Sequence, residues 1–237
     1  SRKLHKSGVD YAQKVLKRFS EILNVSKIVN LKIIATAVLR EATDAKPFVE
    51  YVENLFKKKI EILSGEEEAI CSAEGVKIGF DNVDGLVADL GGGSLELVLI
   101  SKGKIKKLTS LDIGHLVPIT QERIYKLFKS IKWLEKSKNQ TFYGTGGSFR
   151  SLASAYIKDT NYPLYLIHGL SIKTEKSVVV LDKMLDAENE FPGVPQNRMP
   201  TIKNAANIMQ NLILAIEPKK IIISGTSIRD GIVSELN

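Results

Sequence analysis

The chain has 237 residues, 43% of them hydrophobic and 26% charged, which is enough for one large or two small domains with a real core. Those proportions exclude a disordered or fibrous protein. Against 27 acidic residues stand 34 basic ones, and the formal charge of +7 favours an anionic partner. The lysine clusters at 57–59, 102–107 and 126–138 are scattered and lack interleaved aromatics, so no nucleic-acid partner is expected. A lone cysteine, Cys71, excludes an internal disulfide and fits a reducing compartment. The N-terminus carries no signal-peptide pattern, and no apolar run approaches the ~20 residues that span a bilayer. The expectation is a cytoplasmic protein without membrane contact.

In chain order, "VDYAQKVLKRFSEILNVSKI" spaces its apolar residues as an amphipathic helix. "LKIIAT" (31–36) reads as a short buried strand, with "AVLREA" starting a helix after it. "KPFVEYVENLFKKK" (46–59) is a helix with Pro47 in its first turn, followed by the strand "IEILS" (60–64). "GFDNVDG", from residue 79, is a turn-rich linker and the expected domain boundary. Beyond it come a strand, three glycines and a second strand, "VADLGGGSLELVLI" (87–100), with "KIKKLTSL" (104–111) adding a third. A helix is expected around 120–136, then a strand, glycine turn and helix over 140–157. Helices around 171–187 and 201–216 and a last strand, glycine turn and helix over 219–236 close the chain. Strands alternating with helices predict an α/β class with partly parallel sheets.

The glycine hairpin carries the strongest chemical signal. A two-residue loop at Gly92-Gly93 pairs Gly91 with Ser94, Leu90 with Leu95 and Asp89 with Glu96. Such loops favour glycine because their central residues take positive φ. Directly opposed like charges destabilise a strand pair, and a divalent, oxygen-preferring cation such as Mg²⁺ between Asp89 and Glu96 would compensate. The amides of Gly91, Gly92, Gly93 and Ser94 could cradle a phosphate above it. A glycine hairpin with both acids in water is the plain alternative.

"YGTGGSFRSLAS" is a second anion candidate: an apolar strand ends in Gly144, Thr145, Gly146 and Gly147, and a helix starts near Ser148. "ISGTSIRDG" (223–231) repeats the layout, more in keeping with packing than with a ligand contact. In "LSGEEEAICSAEGV" a capping box accounts for Ser64 and Glu67, and the helix dipole for Glu66. Glu68 instead sits above the small residues Cys71, Ser72 and Gly75, a face that could line a cleft and present a general base. His168 and Arg40 are, taken singly, more often structural. His5 and His115 lack the spacing of zinc ligands, and no G-x-S-x-G elbow supports a serine hydrolase.

In their order, "ATAVLREA", "ILSGEEEA", "VADLGGGSLELV", "GTGGSFRSLA", "IHG" and "SGTSIRDGI" resemble the exopolyphosphatase / guanosine pentaphosphate phosphatase family over about residues 31 to 237. The resemblance implies a two-domain, actin-like α/β fold with mixed sheets and the active site in the cleft between domains. The expected division is residues 1–78, the remainder of a first domain, and 79–237, the second. It implies a hydrolase that releases orthophosphate from inorganic polyphosphate or guanosine pentaphosphate by attack of water. In that reading Glu68 is the base, Asp89 and Glu96 organise Mg²⁺, Gly91 to Ser94 and Gly144 to Ser148 hold phosphates, and Arg40 helps bind substrate. It leaves room for a homodimer.

Three departures accompany it. The family's first glycine hairpin has no counterpart here, so a natural N-terminal segment is expected to precede Ser1, and the first domain to be incomplete. "RMP" (198–200) stands where arginine–alanine–aspartate is usual, and Asp44 where asparagine is. These departures motivate an alternative, a non-catalytic actin-like module that binds nucleotide or polyphosphate. A phosphotransferase of the same superfamily is a third option.

Overall fold

In the computed structural model, residues 3–28 and 30–234 are described. The chain packs as two compact units, Ser1–Ser64 and Gly65–Asn237. In the first, α1 (Lys6–Val25) packs on α3 (Lys46–Phe56), while β1 (Ile33–Ala35) runs parallel to β2 (Ile60–Ile62) with Ile33 beside Ile60. A short α2 (Ala37–Glu41) follows β1 directly. α3 stops where Lys57 adopts the left-handed conformation at φ 53°. Ala37, Ala45, Val52 and Leu63 are the buried apolar residues among those described in this unit.

The second unit begins with α4 (Gly65–Gly79) and contains β3 (Gly85–Leu90), β4 (Leu95–Ser101), β5 (Lys104–Leu111), α5 (Gln121–Ser130), β6 (Phe142–Thr145), α6 (Gly146–Asp159), β7 (Ser171–Lys173), α7 (Thr174–Asp186), α8 (Met199–Ile216), β8 (Lys220–Ile223) and α9 (Ile228–Ser234). Six strands form one mixed sheet in the order β5-β4-β3-β6-β8-β7. The glycine-turn segments supply its centre: β3 pairs antiparallel with β4 and parallel with β6, and β6 runs parallel to β8. Strand alternation divides the side chains between two cores. Leu86, Ala88, Leu90, Leu95 and Leu97 face the larger core with residues of α5, α6, α7 and α8. Val87, Val98 and Ile100 face Ala69, Ala73 and Val76 of α4, which α9 packs against from its other side.

Three sequence expectations change. The units divide before α4, not near residue 79, because α4 buries Ala69, Ala73 and Val76 on the second sheet. The helix expected over 120–136 ends at Ser130; Ile131 leaves helical geometry at ψ 85°, and Leu134–Ser137 form a 3₁₀ turn, which puts both Ile131 and Leu134 into the core. Residues 171–173, expected as the start of a helix, form the edge strand β7, whose short alternation buries only Ile172.

Candidate active site

Strand pairing places Asp89 opposite Glu96, with Leu90 opposite Leu95, and the amide of Gly91 donates to the carbonyl of Ser94 at 3.0 Å. The register continues sideways: Glu96 pairs with Ser110 on β5, and Asp89 with Thr145 on β6. Asp89 follows the side-chain alternation of Val87, and Glu96 that of Val98, so both carboxylates point to the α4 face.

There they are buried, Asp89 at 9% exposure and Glu96 at 2%. Ser72 on α4 donates to Asp89 Oδ2 at 2.7 Å, and Ser110 donates to Glu96 Oε1 at 2.9 Å. Glu68, one turn before Ser72, adds its negative charge to the neighbourhood of Glu96. Burial above all, then the charges of Glu68 and Asp89, push the Glu96 carboxyl up from 4.5 to about 8, against hydrogen bonds from Ser94 and Ser110. Burial also raises Asp89, opposed by the Ser72 hydrogen bond and the charge of Arg150. Of the three acids only Glu68 is half-buried and keeps contact with solvent.

The hairpin tip is held from behind. His115 and Leu116 donate their amides to the carbonyls of Gly91 and Gly92 at 3.1 and 2.9 Å. Among the described residues, the amides of Gly92 and Gly93 donate no hydrogen bond. The expected positive φ is not adopted at the turn's central residues, since neither Gly92 nor Gly93 has a positive φ. A Cβ on Gly92 would sit 3.0 Å from the Cδ1 of exposed Leu116, which must yield slightly, and one on Gly114 would collide with the Gly92 carbonyl.

The second glycine turn lies beside the first. Gly146 has φ +84°, and a Cβ there would collide with Asp89 Oδ1. Ser148 donates to the carbonyl of Leu90 at 3.1 Å, tying the start of α6 to the end of β3. The amides of Gly146, Gly147 and Ser148 form the first turn of α6, whose dipole favours an anion. Gly144 lies within β6, where a Cβ would collide with the Phe149 ring, and its carbonyl accepts from the amide of Ser224 at 2.8 Å. The Thr145 hydroxyl donates to the Thr226 carbonyl at 2.7 Å. Both residues are accounted for by packing. Arg40 lies in the first unit, where Nη1 donates to the carbonyl of Leu63 at 2.8 Å.

Several residues reach this site without a sequence signal of their own. Ser72 and Ser110 come with their elements. Arg198 comes from the turn before α8, its guanidinium so close to Gly147 that a Cβ there would collide with it. Arg198 is the first residue of the departing "RMP", whose Pro200 now sits in the first turn of α8. The small stripe below Glu68 serves a purpose other than a cleft: a Cβ on Gly75 would strike the Ser227 carbonyl, and one on Gly231 the Cys71 carbonyl, so α4 and α9 cross backbone against backbone.

Among the described residues no group of three or more His, Cys, Asp or Glu side chains is arranged to hold a metal ion. Asp89 and Glu96 still suit Mg²⁺, which uses one or two carboxylates and fills its shell with water and substrate phosphate. Two buried acids in opposed register, one raised to about 8, are a donor set short of positive charge.

A family model described as the Ppx/GppA phosphatase family matches residues 1–237. Among curated relatives, a guanosine-5'-triphosphate,3'-diphosphate pyrophosphatase of Vibrio cholerae is 27% identical over 232 residues, covering 94% of this chain and 44% of the relative. An Aeromonas hydrophila protein of the same name is 36% identical over 113 residues, 47% of this chain and 23% of its own. The chain thus spans less than half the length of these curated relatives. Two crystal structures share the fold: a Ppx/GppA family member of Aquifex aeolicus, with TM-score 0.77 at 23% identity over 100% of this chain and 83% of that one, and an exopolyphosphatase of Cytophaga hutchinsonii, with TM-score 0.86 at 18% identity over 99% and 83%.

Proposed function

The chain belongs to the Ppx/GppA phosphatase family, and from that premise we propose that it is an acid-anhydride hydrolase releasing terminal orthophosphate from inorganic polyphosphate or guanosine pentaphosphate. Support for the substrate class comes from the names of its relatives, a guanosine-5'-triphosphate,3'-diphosphate pyrophosphatase and an exopolyphosphatase. The observation that carries the reading is the row formed by buried Asp89 and Glu96 beside half-buried Glu68, with two glycine turns at its end.

In this reading the amides of Gly92 and Gly93 and those of the first turn of α6 receive phosphate oxygens, and Arg198 adds a cation at the same helix end. Asp89 and Glu96 would hold Mg²⁺, which supplies charge neutralisation on the phosphoryl oxygens when bound. Glu68 orients a water and takes its proton, a role suited to the most exposed of the three acids. Phosphoryl transfer asks a protein mainly for positioning and electrostatic stabilisation, and amides, a cation and one base provide both.

Phosphate release from both substrates, followed as Mg²⁺ is titrated, tests this. Glu68→Gln should lower turnover by about 10²- to 10⁴-fold while leaving the melting temperature in place. Undiminished turnover would remove Glu68 as the base, and turnover indifferent to chelator would remove the metal from Asp89 and Glu96.

A further inference from the structure

His115 is the residue the proposed chemistry leaves unused, although its backbone braces the hairpin tip. Its imidazole has a defined orientation. Thr201 Oγ1 lies 3.3 Å from the Arg198 carbonyl, to which it donates, and 3.0 Å from His115 Nδ1. With the hydroxyl proton directed to the carbonyl, Nδ1 carries the ring proton and donates to Thr201. In that tautomer Nε2 is bare, because the partner of one ring nitrogen fixes the state of the other. Nε2 lies 3.9 Å from where a Cβ on Gly92 would be, at the hairpin tip. Arg198, which touches Gly147, also acts on His115. Imidazole and guanidinium therefore link the two glycine turns.

We propose that His115 is a phosphate-contacting residue: Nε2 takes up a proton when a phosphate group settles on the glycine turn and donates it as a hydrogen bond to a phosphate oxygen. This rests on the reading of that turn as a phosphate site. In the protein alone, burial and then the charge of Arg198 hold His115 below its ordinary 6.5, which disfavours the charged ring. Charged groups of both signs lie on the elements around it. Arg198 precedes α8, Lys203 lines the cavity of about 470 Å³ that His115 borders, Asp112 lies on the same loop, and exposed Asp186 follows Leu185, which also lines the cavity. A phosphate would reverse the local balance and favour the charged ring. A bare nitrogen at the hairpin tip would otherwise add nothing to anion binding, whereas a protonated one contributes a charge-assisted hydrogen bond.

Side-chain nitrogen NMR of the intact chain, titrated with inorganic triphosphate from pH 5 to 9, tests the proposal, with His5 and His168 as internal references. Triphosphate should raise the His115 titration midpoint and convert Nε2 to its protonated form, leaving the other two histidines where they were. His115→Gln should weaken triphosphate binding about tenfold at pH 6, the worth of one hydrogen bond to a charged group, and leave it unchanged at pH 9. Triphosphate that binds, by calorimetry, without moving His115 overturns the proposal and spares the phosphate site. Equal shifts at all three histidines overturn it as a general charge effect. Absence of triphosphate binding overturns the phosphate site itself and His115 with it.

Discussion

Glu96 is 2% exposed and shares its position in the strand pair with a second buried acid, an arrangement with a direct consequence for pH. Its carboxyl is raised from 4.5 to about 8, so between those values the folded protein keeps a proton that the unfolded chain gives up. The stabilisation is complete below 4.5 and is lost as pH rises through about 8. Asp89 shifts in the same direction. Melting temperature should therefore fall as pH is raised across that range, and Glu96→Gln, which keeps the hydrogen bond from Ser110 without the charge, should flatten the fall. Thermal melts at several pH values read this out, and a wild-type profile as flat as that of the variant would show that Glu96 is already ionised in the fold. The same logic predicts that Mg²⁺ raises the melting temperature more at pH 8 than at pH 5, since at low pH the cation must displace a proton. The opposition of Asp89 and Glu96 was readable from residue spacing because a two-residue loop fixes its own register. Their burial was not, because it depends on α4 lying across them.

At the scale of elements, the site depends on how closely α4 approaches its neighbours. Gly231 meets the backbone of α4 at Cys71, and Gly75 meets the backbone of Ser227, just before α9. Gly231→Ala forces backbone apart and should cost about 1–3 kcal/mol, the range for overpacking. Because α4 carries Glu68 and Ser72, catalysis should suffer beyond what the lost stability explains. Denaturant titration beside turnover measurements would separate the two, and full activity with unchanged stability would mean that the helices can part without cost. Asn204 of α8 plays a comparable part for the loop behind the hairpin: its amide donates to the carbonyls of Gly114, His115 and Val117 at 3.0, 3.1 and 2.7 Å. Asn204→Leu leaves three carbonyls without that donor and should cost about 1–3 kcal/mol. Faster amide exchange at His115 and Leu116 would be its local signature. Sequence periodicity identified most of these elements, while β7 and the break after Ser130 escaped it. A three-residue edge strand carries too short an alternation to detect, and the break exists to seat Ile131 and Leu134 in a core built from distant helices.

At the scale of the whole molecule, the second unit holds both large cores, whereas the first has a two-stranded sheet and few buried apolar residues among those described. Native-state hydrogen exchange should show β1 and β2 opening at lower free energy than β3, β6 and β8, and equal protection would mean one cooperative unit. The charge of +7 predicts that binding of long polyphosphate weakens more steeply with salt than binding of guanosine pentaphosphate, because a longer polyanion engages more of the dispersed lysines. Affinities measured at two ionic strengths would decide this, and parallel losses would confine recognition to the glycine turns.

Residue order alone specifies the α/β alternation, the opposed acids of the hairpin and the order of motifs that points to the family, since each is written in periodicity, turn chemistry and spacing along a short stretch of chain. It did not determine the division at Ser64, the use of the small stripe of α4 against α9, or the arrival of Arg198 and His115 at the glycine turns. Those were decided by the sheet order β5-β4-β3-β6-β8-β7 and by the helices packed on its two faces. That packing sets which distant residues meet and which carboxylates lose their water, and neither has a local signature in the chain.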